Sequence, residues 1–328
     1  MPREIDHRFD TRAIHVGQEP DSATGAVIPP IYLTSTFAQA DFGVHKGYDY
    51  SRAANPTRQN LEETIASLEG GSHGVAFASG MAAFSAIVTH FKQGDHLVLS
   101  ENVYGGTYRA LTQIFNRFGI GSSWIDTTGL DNIRDAMTPD TVAIVIETPS
   151  NPMMTVTDLA GVAGIARERN LLSIVDNTFM SPYFQRPLEH GIDIVYHSTT
   201  KYLAGHSDIL GGIVVTSNDE VAEDMAFTQK SLGAVPSPFD CWLTSRSLKT
   251  LAVRMERHNA NAARLATFLD ARPEVQNVFY PGLESHPQHD LAARQQTNPD
   301  GRPAFGGMIS FDTGSLENAR RFARGVNV

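Results

Sequence analysis

A chain of 328 residues with 41% hydrophobic content can bury a large core and divide into one large and one small domain. Its formal charge of −10 argues against nucleic acid or an anionic membrane surface as a partner. The single cysteine excludes an internal disulfide, and no apolar run approaches the length of a membrane span.

The start, Met1 to Arg8, is charged and has no apolar signal region, so the cytosol is the default compartment. Residues 1–50 carry little periodic pattern and several loop signals, Pro29-Pro30 among them, and read as an arm. Leu61, Ile65 and Leu68 then fall at i, i+4 and i+7 on a helix closed by Gly70-Gly71. Strands are expected at 75–78, 96–99, 122–125, 142–146, 171–175, 192–196 and 212–215. Helical stretches at 81–91, 107–118, 130–137 and 159–168 separate most of them. Such alternation implies a mostly parallel sheet with helices on both faces, an α/β fold. A long helical region at 238–268 follows, with Cys241 as a small core residue. It leads to a smaller unit with strands at 275–280 and 307–311. The 12 histidines include no His-Glu-x-x-His spacing, and His286-Pro-Gln-His289 reads as a surface turn, so no metal site is expected.

Lys201 sits in a loop of hydroxyls and glycine, just past an apolar run that reads as a buried strand. A lysine at the end of a core strand is costly to desolvate, and its chemical use is a Schiff base with a carbonyl, above all that of pyridoxal phosphate (PLP). Ser198 and Thr200 stand two apart, so in extended chain both hydroxyls could hold one phosphate. Taken alone, Ser-x-Thr-Lys reads more simply as a solvated loop. PLP also needs an acid for its pyridine nitrogen, and the strand 171–175 ends in Asp176. It needs a phosphate cradle too, and Ser79-Gly80-Met81 is a turn from a strand into a helix start. A cradle, a carboxylate and a lysine each end a different apolar strand.

Seven ordered segments make a resemblance specific: Tyr50-Ser-Arg-Ala-Ala-Asn-Pro-Thr57, Ala78-Ser-Gly-Met81, Tyr104-Gly-Gly-Thr107, Glu147-Thr-Pro-Ser-Asn-Pro152, Val175-Asp-Asn-Thr-Phe179, Ser198-Thr-Thr-Lys-Tyr202 with Gly205-His-Ser-Asp208, and Leu248-Lys-Thr-Leu251. The chain resembles the PLP-dependent enzymes of Cys/Met metabolism, which include cystathionine γ-lyase and cystathionine γ-synthase. The resemblance implies a fold of the aspartate-aminotransferase type (fold type I), divided into an arm at 1–50 that reaches a neighbouring subunit, a PLP-binding domain at 51–247 and a partial C-terminal domain at 248–328. It implies that Lys201 carries the cofactor and moves protons, that Asp176 pairs with the ring nitrogen, and that Tyr104 stacks on the ring and assists proton transfer. Gly80, Met81, Ser198 and Thr200 would hold the phosphate, helped by Tyr50 and Arg52 of a neighbouring subunit. Asn151 would bind the cofactor's phenolic oxygen, and Asp49, Tyr50 and Asn151 would meet the substrate. A homodimer would be the smallest active unit, and a homotetramer the usual assembly.

Within the family, Gly106 stands where methionine γ-lyases carry a cysteine. Ser231 to Trp242 and Tyr280 to His289 look most like cystathionine γ-lyase, with γ-synthase as the alternative. The expected activity is γ-elimination on L-cystathionine to L-cysteine, 2-oxobutanoate and ammonia. Members of the family continue past the point matching Glu317–Val328, and the arginine that takes the substrate α-carboxylate lies in that continuation. A chain ending at Val328 is therefore expected to be a fragment of a longer one, or a PLP-binding subunit with impaired turnover.

Overall fold

A computed structural model describes residues 8–327; the start at Met1–His7, where no signal region is expected, lies outside the described residues. Seven strands form one sheet: β1 (His73–Phe77), β2 (His96–Ser100), β3 (Gly121–Ile125), β4 (Thr141–Glu147), β5 (Leu172–Asp176), β6 (Ile194–Ser198) and β7 (Gly212–Thr216). Each overlaps a segment that the sequence marks as a strand. The order is β1-β7-β6-β5-β4-β2-β3. Strands β3, β2, β4, β5 and β6 run parallel, while β7 is antiparallel to both β6 and β1. A mostly parallel sheet needs helical crossovers and both faces covered, and that is the arrangement found.

The helices are α1 (Phe9–His15), α2 (Pro56–Glu69), α3 (Gly80–Val88), α4 (Gly105–Gln113), α5 (Leu130–Asp135), α6 (Leu159–Arg169), α7 (Ser181–Phe184), α8 (Asp219–Leu232), α9 (Pro238–Leu248), α10 (Leu251–Asp270), α11 (His289–Gln295) and α12 (Leu316–Gly325). Helices α3, α4 and α8 cover one face of the sheet, where Phe84, Leu111 and Met225 pack on Ile174, Tyr196 and Val214. Helix α6 covers the other face with Val162 and Ile165 against Ile146, Val175 and Val195. Helix α2 extends that second layer, with Leu61 and Ile65 against Ile213 and Val215. Side chains alternate along a strand. Glu147, Asp176 and Tyr196 therefore face one layer, while Thr148, Asn177 and His197 face the other.

The structure departs from the sequence reading where tertiary contacts decide. Helix α1 lies in the loop-like arm, held by Phe9 and Ala13, an i,i+4 pair buried against the α2 layer. One such pair is too little periodicity to mark a helix. The expected helix at 107–118 ends at Gln113 and continues as a 3₁₀ turn, Phe115–Phe118. The region 238–268 breaks at Lys249-Thr250, where Arg254 donates to the carbonyls of Ser247, Tyr202 and Leu203.

The C-terminal unit pairs β8 (Asn277–Phe279) with β9 (Ser310–Asp312), both shorter than expected, beside a small core of Ala262, Ala266 and Tyr280. His286 is buried and not on the surface, because Leu283 and the following turn fold it inward. His289 stacks on Phe305 with ring centroids 5.3 Å apart. Cys241 is a buried core residue, as its apolar surroundings in the sequence imply. Among the described residues no cluster of His, Cys, Asp and Glu is placed to hold a metal, and no helix is long and apolar enough to cross a membrane.

Candidate active site

The carboxyl ends of β4, β5 and β6 open onto a cavity of about 990 Å³, where open α/β sheets bind ligands. It brings together Lys201, Asp176, Tyr104 and Asn151, with Gly80, Met81, Ser198 and Thr200 around the same space. The sequence places these residues on five separate segments, and the crossover connections gather them.

Asp176 closes β5, and burial pushes its carboxyl above the ordinary aspartate range. The Thr178 N–H, donating to its Oδ1 at 3.0 Å, works in the opposite direction and favours the carboxylate. Directly beside it in register stands Glu147, the last residue of β4. Burial, then the charge of Asp176, pushes the Glu147 carboxyl well up. Two buried like charges side by side hold a proton between them unless a cation joins them. Glu147 also accepts the backbone N–H of Tyr104 at 2.7 Å, so it ties down the start of α4. In the sequence Glu147 is only the first residue of a motif, with no role of its own. Its signal is the one that marks Asp176, a carboxylate at the end of an apolar strand. Tyr196 is a second residue that the sequence does not single out; burial first, then Asp176 and Glu147, keep its phenol neutral well above the ordinary range.

At the other side of the cavity, Ser79 caps α3 by accepting the Ala82 N–H at 3.1 Å. Gly80 is the first residue of that helix. A Cβ there would lie 2.8 Å from Cβ of Ser198, so only glycine lets the helix start come this close to β6. Free N–H groups at a helix start suit a phosphate. The chain turns immediately after Ser198, with the Lys201 N–H on the Ser198 carbonyl at 3.2 Å. Ser198 and Thr200 thus do not lie on one extended strand, and Thr200 Oγ1 accepts the Gly211 N–H at 3.1 Å. The Lys201 side chain is exposed to the cavity, not buried, because β6 has already ended. Tyr104, at the start of α4, is half exposed above the cavity. A Cβ at Gly106 would meet the Tyr104 ring at 2.4 Å, so this glycine leaves the ring its position.

Asp49, Tyr50 and Arg52 do not line the cavity. They stand on the arm, where Thr36 bridges to Tyr50, Arg52 donates to the Lys230 carbonyl at 2.5 Å, and the Arg52 guanidinium lies 5.4 Å from the Tyr50 ring centroid.

A buried carboxylate pair short of a cation and a glycine-opened helix start fit the two ends of PLP, its protonated pyridine and its phosphate. Replacing Gly80 by alanine should weaken PLP binding by about 10-fold or more, as forced overpacking costs about 1–3 kcal/mol. Titration of the cofactor-free protein by absorbance checks this; unchanged affinity would remove the cradle from this position.

The architecture is that of a PLP-dependent α/β enzyme. Residues 10–328 match the family described as Cys/Met metabolism PLP-dependent enzyme, and the chain belongs to that family. It is 51% identical over 312 residues to the cystathionine gamma-lyase of Bacillus subtilis (strain 168), covering 95% of this chain and 81% of that protein. It is 50% identical over 306 residues to the cystathionine beta-lyase of Coxiella burnetii, covering 93% of this chain and 78% of that protein. Relatives of similar identity carry the name cystathionine gamma-synthase. The crystal structure of cystathionine gamma-lyase from Lactobacillus plantarum complexed with L-serine superposes with a TM-score of 0.94 at 43% identity, covering 98% of this chain and 83% of that one. The resemblance read from the seven motifs thus holds along the chain, with PLP as cofactor. The relatives divide among γ-lyase, β-lyase and γ-synthase, so likeness alone fixes the family and leaves the reaction to be argued from the site.

Proposed function

We propose that the chain is a cystathionine γ-lyase, cleaving the Cγ–S bond of L-cystathionine and, with one water, giving L-cysteine, 2-oxobutanoate and ammonia. The observation that carries this reading is the single cavity joining Lys201, Asp176 and Tyr104. PLP supplies an electron sink that stabilises charge developing at Cα. Lys201 would hold the cofactor, and its amine would take the Cα proton and then relay a Cβ proton. Asp176 would keep the ring nitrogen protonated. Tyr104 would give a proton to the departing sulfur. Asn151 and the α3 start would hold the cofactor's other edges. Motif likeness at Ser231 to Trp242 and Tyr280 to His289 favours the γ-lyase. The γ-synthase reading, cysteine displacing the acyloxy group of an O-acylhomoserine as a carboxylate, uses the same residues, and β-elimination breaks the Cβ–S bond instead and needs no Cβ proton removed.

Product analysis separates them. With L-cystathionine, cysteine and 2-oxobutanoate should dominate; homocysteine and pyruvate would make it a β-lyase. Faster formation of cystathionine from O-succinylhomoserine and cysteine than its breakdown would make it the synthase.

The arm residues Tyr50 and Arg52 are assigned to the phosphate of a neighbouring subunit's cofactor, with Asp49 toward the substrate of that site. Arginine suits this because its planar fork binds phosphate bidentately. Mixing Arg52→Ala protein with Lys201→Ala protein under subunit exchange should restore activity. Random dimers are half hybrids with one intact site of two, so about a quarter of wild-type sites should return in a closed two-fold dimer. If exchange is demonstrated by mass and no activity returns, the shared site is wrong.

A further inference from the structure

Directly behind the cavity, on the opposite face of the sheet, lies a buried polar network with no part in the reaction as described. Its centre is Glu69, the last residue of α2, which is fully buried. Glu69 Oε1 accepts Nε2–H of His197 at 2.5 Å and Nδ2–H of Asn177 at 2.9 Å. Asn177 also donates to the Gln185 carbonyl at 2.7 Å. Gln185 in turn donates to Oδ1 of Asn177 at 3.0 Å and to the Thr148 carbonyl at 2.9 Å. Thr148, Asn177, Gln185 and His197 are all buried.

The placement is specific. Thr148, Asn177 and His197 each adjoin a residue of the cavity side: Glu147 at the end of β4, Asp176 at the end of β5, and Ser198 at the end of β6. One carboxylate, 108 residues from Asn177 and 128 from His197, therefore pins the ends of β5 and β6 from behind. For stability alone the arrangement is a poor choice. Glu69 Oε2 and Nδ1 of His197 have no partner. A buried polar pair with unsatisfied atoms is commonly matched or bettered by apolar side chains of the same volume. Local rules are broken in this way mostly where a site needs the geometry.

We propose that Glu69 is a positioning residue for the cofactor site: through His197 and Asn177 it fixes the strand ends that aim Asp176 at the pyridine nitrogen and Ser198 at the phosphate. This rests on the reading that those two residues hold PLP. The carboxylate acts from the back of the sheet and touches neither cofactor nor substrate.

The test compares Glu69→Leu, which removes the acceptor, with Glu69→Gln, which keeps one acceptor oxygen. PLP affinity and the visible circular dichroism of bound PLP, which reports ring orientation, are read beside melting temperature. Glu69→Leu should weaken PLP binding about 10-fold and change the visible band, with Glu69→Gln in between. A lower melting temperature with unchanged affinity and unchanged band would make the pair purely structural and overturn the proposal. If Glu69→Leu does not fold, His197→Phe keeps ring volume and drops the donor, with the same expected and opposing outcomes. If that too fails to fold, crystal structures of the unsubstituted protein with and without PLP decide. The Glu69–His197–Asn177 contacts and the Asp176 rotamer should be the same in both, and an Asp176 that takes its place only when PLP is bound would overturn preorganisation from behind. Asp176→Asn is the control: if it leaves PLP affinity and visible band unchanged, the assignment of Asp176 fails, not merely the role of Glu69.

Discussion

Lys201→Ala protein should lose turnover by on the order of 10³-fold or more while keeping its fold. Positioned proton transfer alone is worth about 10²–10⁴ in rate, and the lysine is assigned two such transfers besides holding the cofactor. Its side chain is exposed to the cavity and packs into no core cluster, so stability should move by no more than about 0.5 kcal/mol. Two measurements check this. The unsubstituted protein should be yellow, and borohydride should fix PLP covalently on the peptide that contains Lys201. The Ala variant should still take up PLP through Asp176 and the α3 start, more weakly and without covalent fixation. A label on Lys230 or Lys249 instead would remove the basis of the site assignment. Lys249 sits at the end of α9, where burial lowers the pKa of its ammonium, so a label there is a real chemical competitor.

Much of this arrangement is written in local sequence. Most of the sheet strands carry apolar runs because a mostly parallel sheet is covered on both faces, β3 (Gly-Ser-Ser-Trp-Ile) being the exception, and β4, β5 and β6 each stop at a polar residue. Those stops are positions assigned to the proposed site: Glu147, Asp176 and Ser198 end β4, β5 and β6. A ligand site at strand carboxyl ends is therefore legible in the residues themselves. What is not legible is set by contacts distant in sequence. Helix α1 needs the α2 surface to exist, and nothing in Phe9–His15 announces that surface. The exposure of Lys201 follows from where β6 ends, which the run 192–196 leaves open by two residues. Glu69 reads as the last polar turn of an amphipathic helix, and only folding puts it behind Asn177 and His197. His286 shows the reverse error, since a proline-bearing turn can be folded under its neighbours.

Asp176→Asn should separate stability from function. Burial raises the Asp176 carboxyl above its ordinary range, and the neighbouring Glu147 is raised by burial and by Asp176 itself. A carboxyl raised in the folded state adds stability in full below its ordinary pKa of about 4, and that stability is lost as pH rises through the raised value. The cofactor-free wild-type protein should therefore become less stable between acid and neutral pH, because the unfolded chain ionises both carboxyls while the buried pair holds on to its proton. Asparagine keeps the shape, accepts the Thr178 N–H through its oxygen and cannot ionise. Without cofactor, the variant should melt higher than wild type near neutral pH, and the difference should vanish below about pH 4. With PLP the order reverses in function. The carboxylate is proposed to hold the pyridine proton, and an amide cannot, so kcat should fall by roughly 10²–10³, the usual cost of removing one preorganised charge partner. Calorimetry across pH on the cofactor-free proteins and steady-state kinetics on the loaded ones provide both readouts. An Asn variant that melts lower than wild type without cofactor near neutral pH would show that Asp176 is held ionised by the fold itself. In that event the carboxyl pair would not be waiting for a cation, and the fit of PLP to this end of the cavity would have to rest on the α3 start alone.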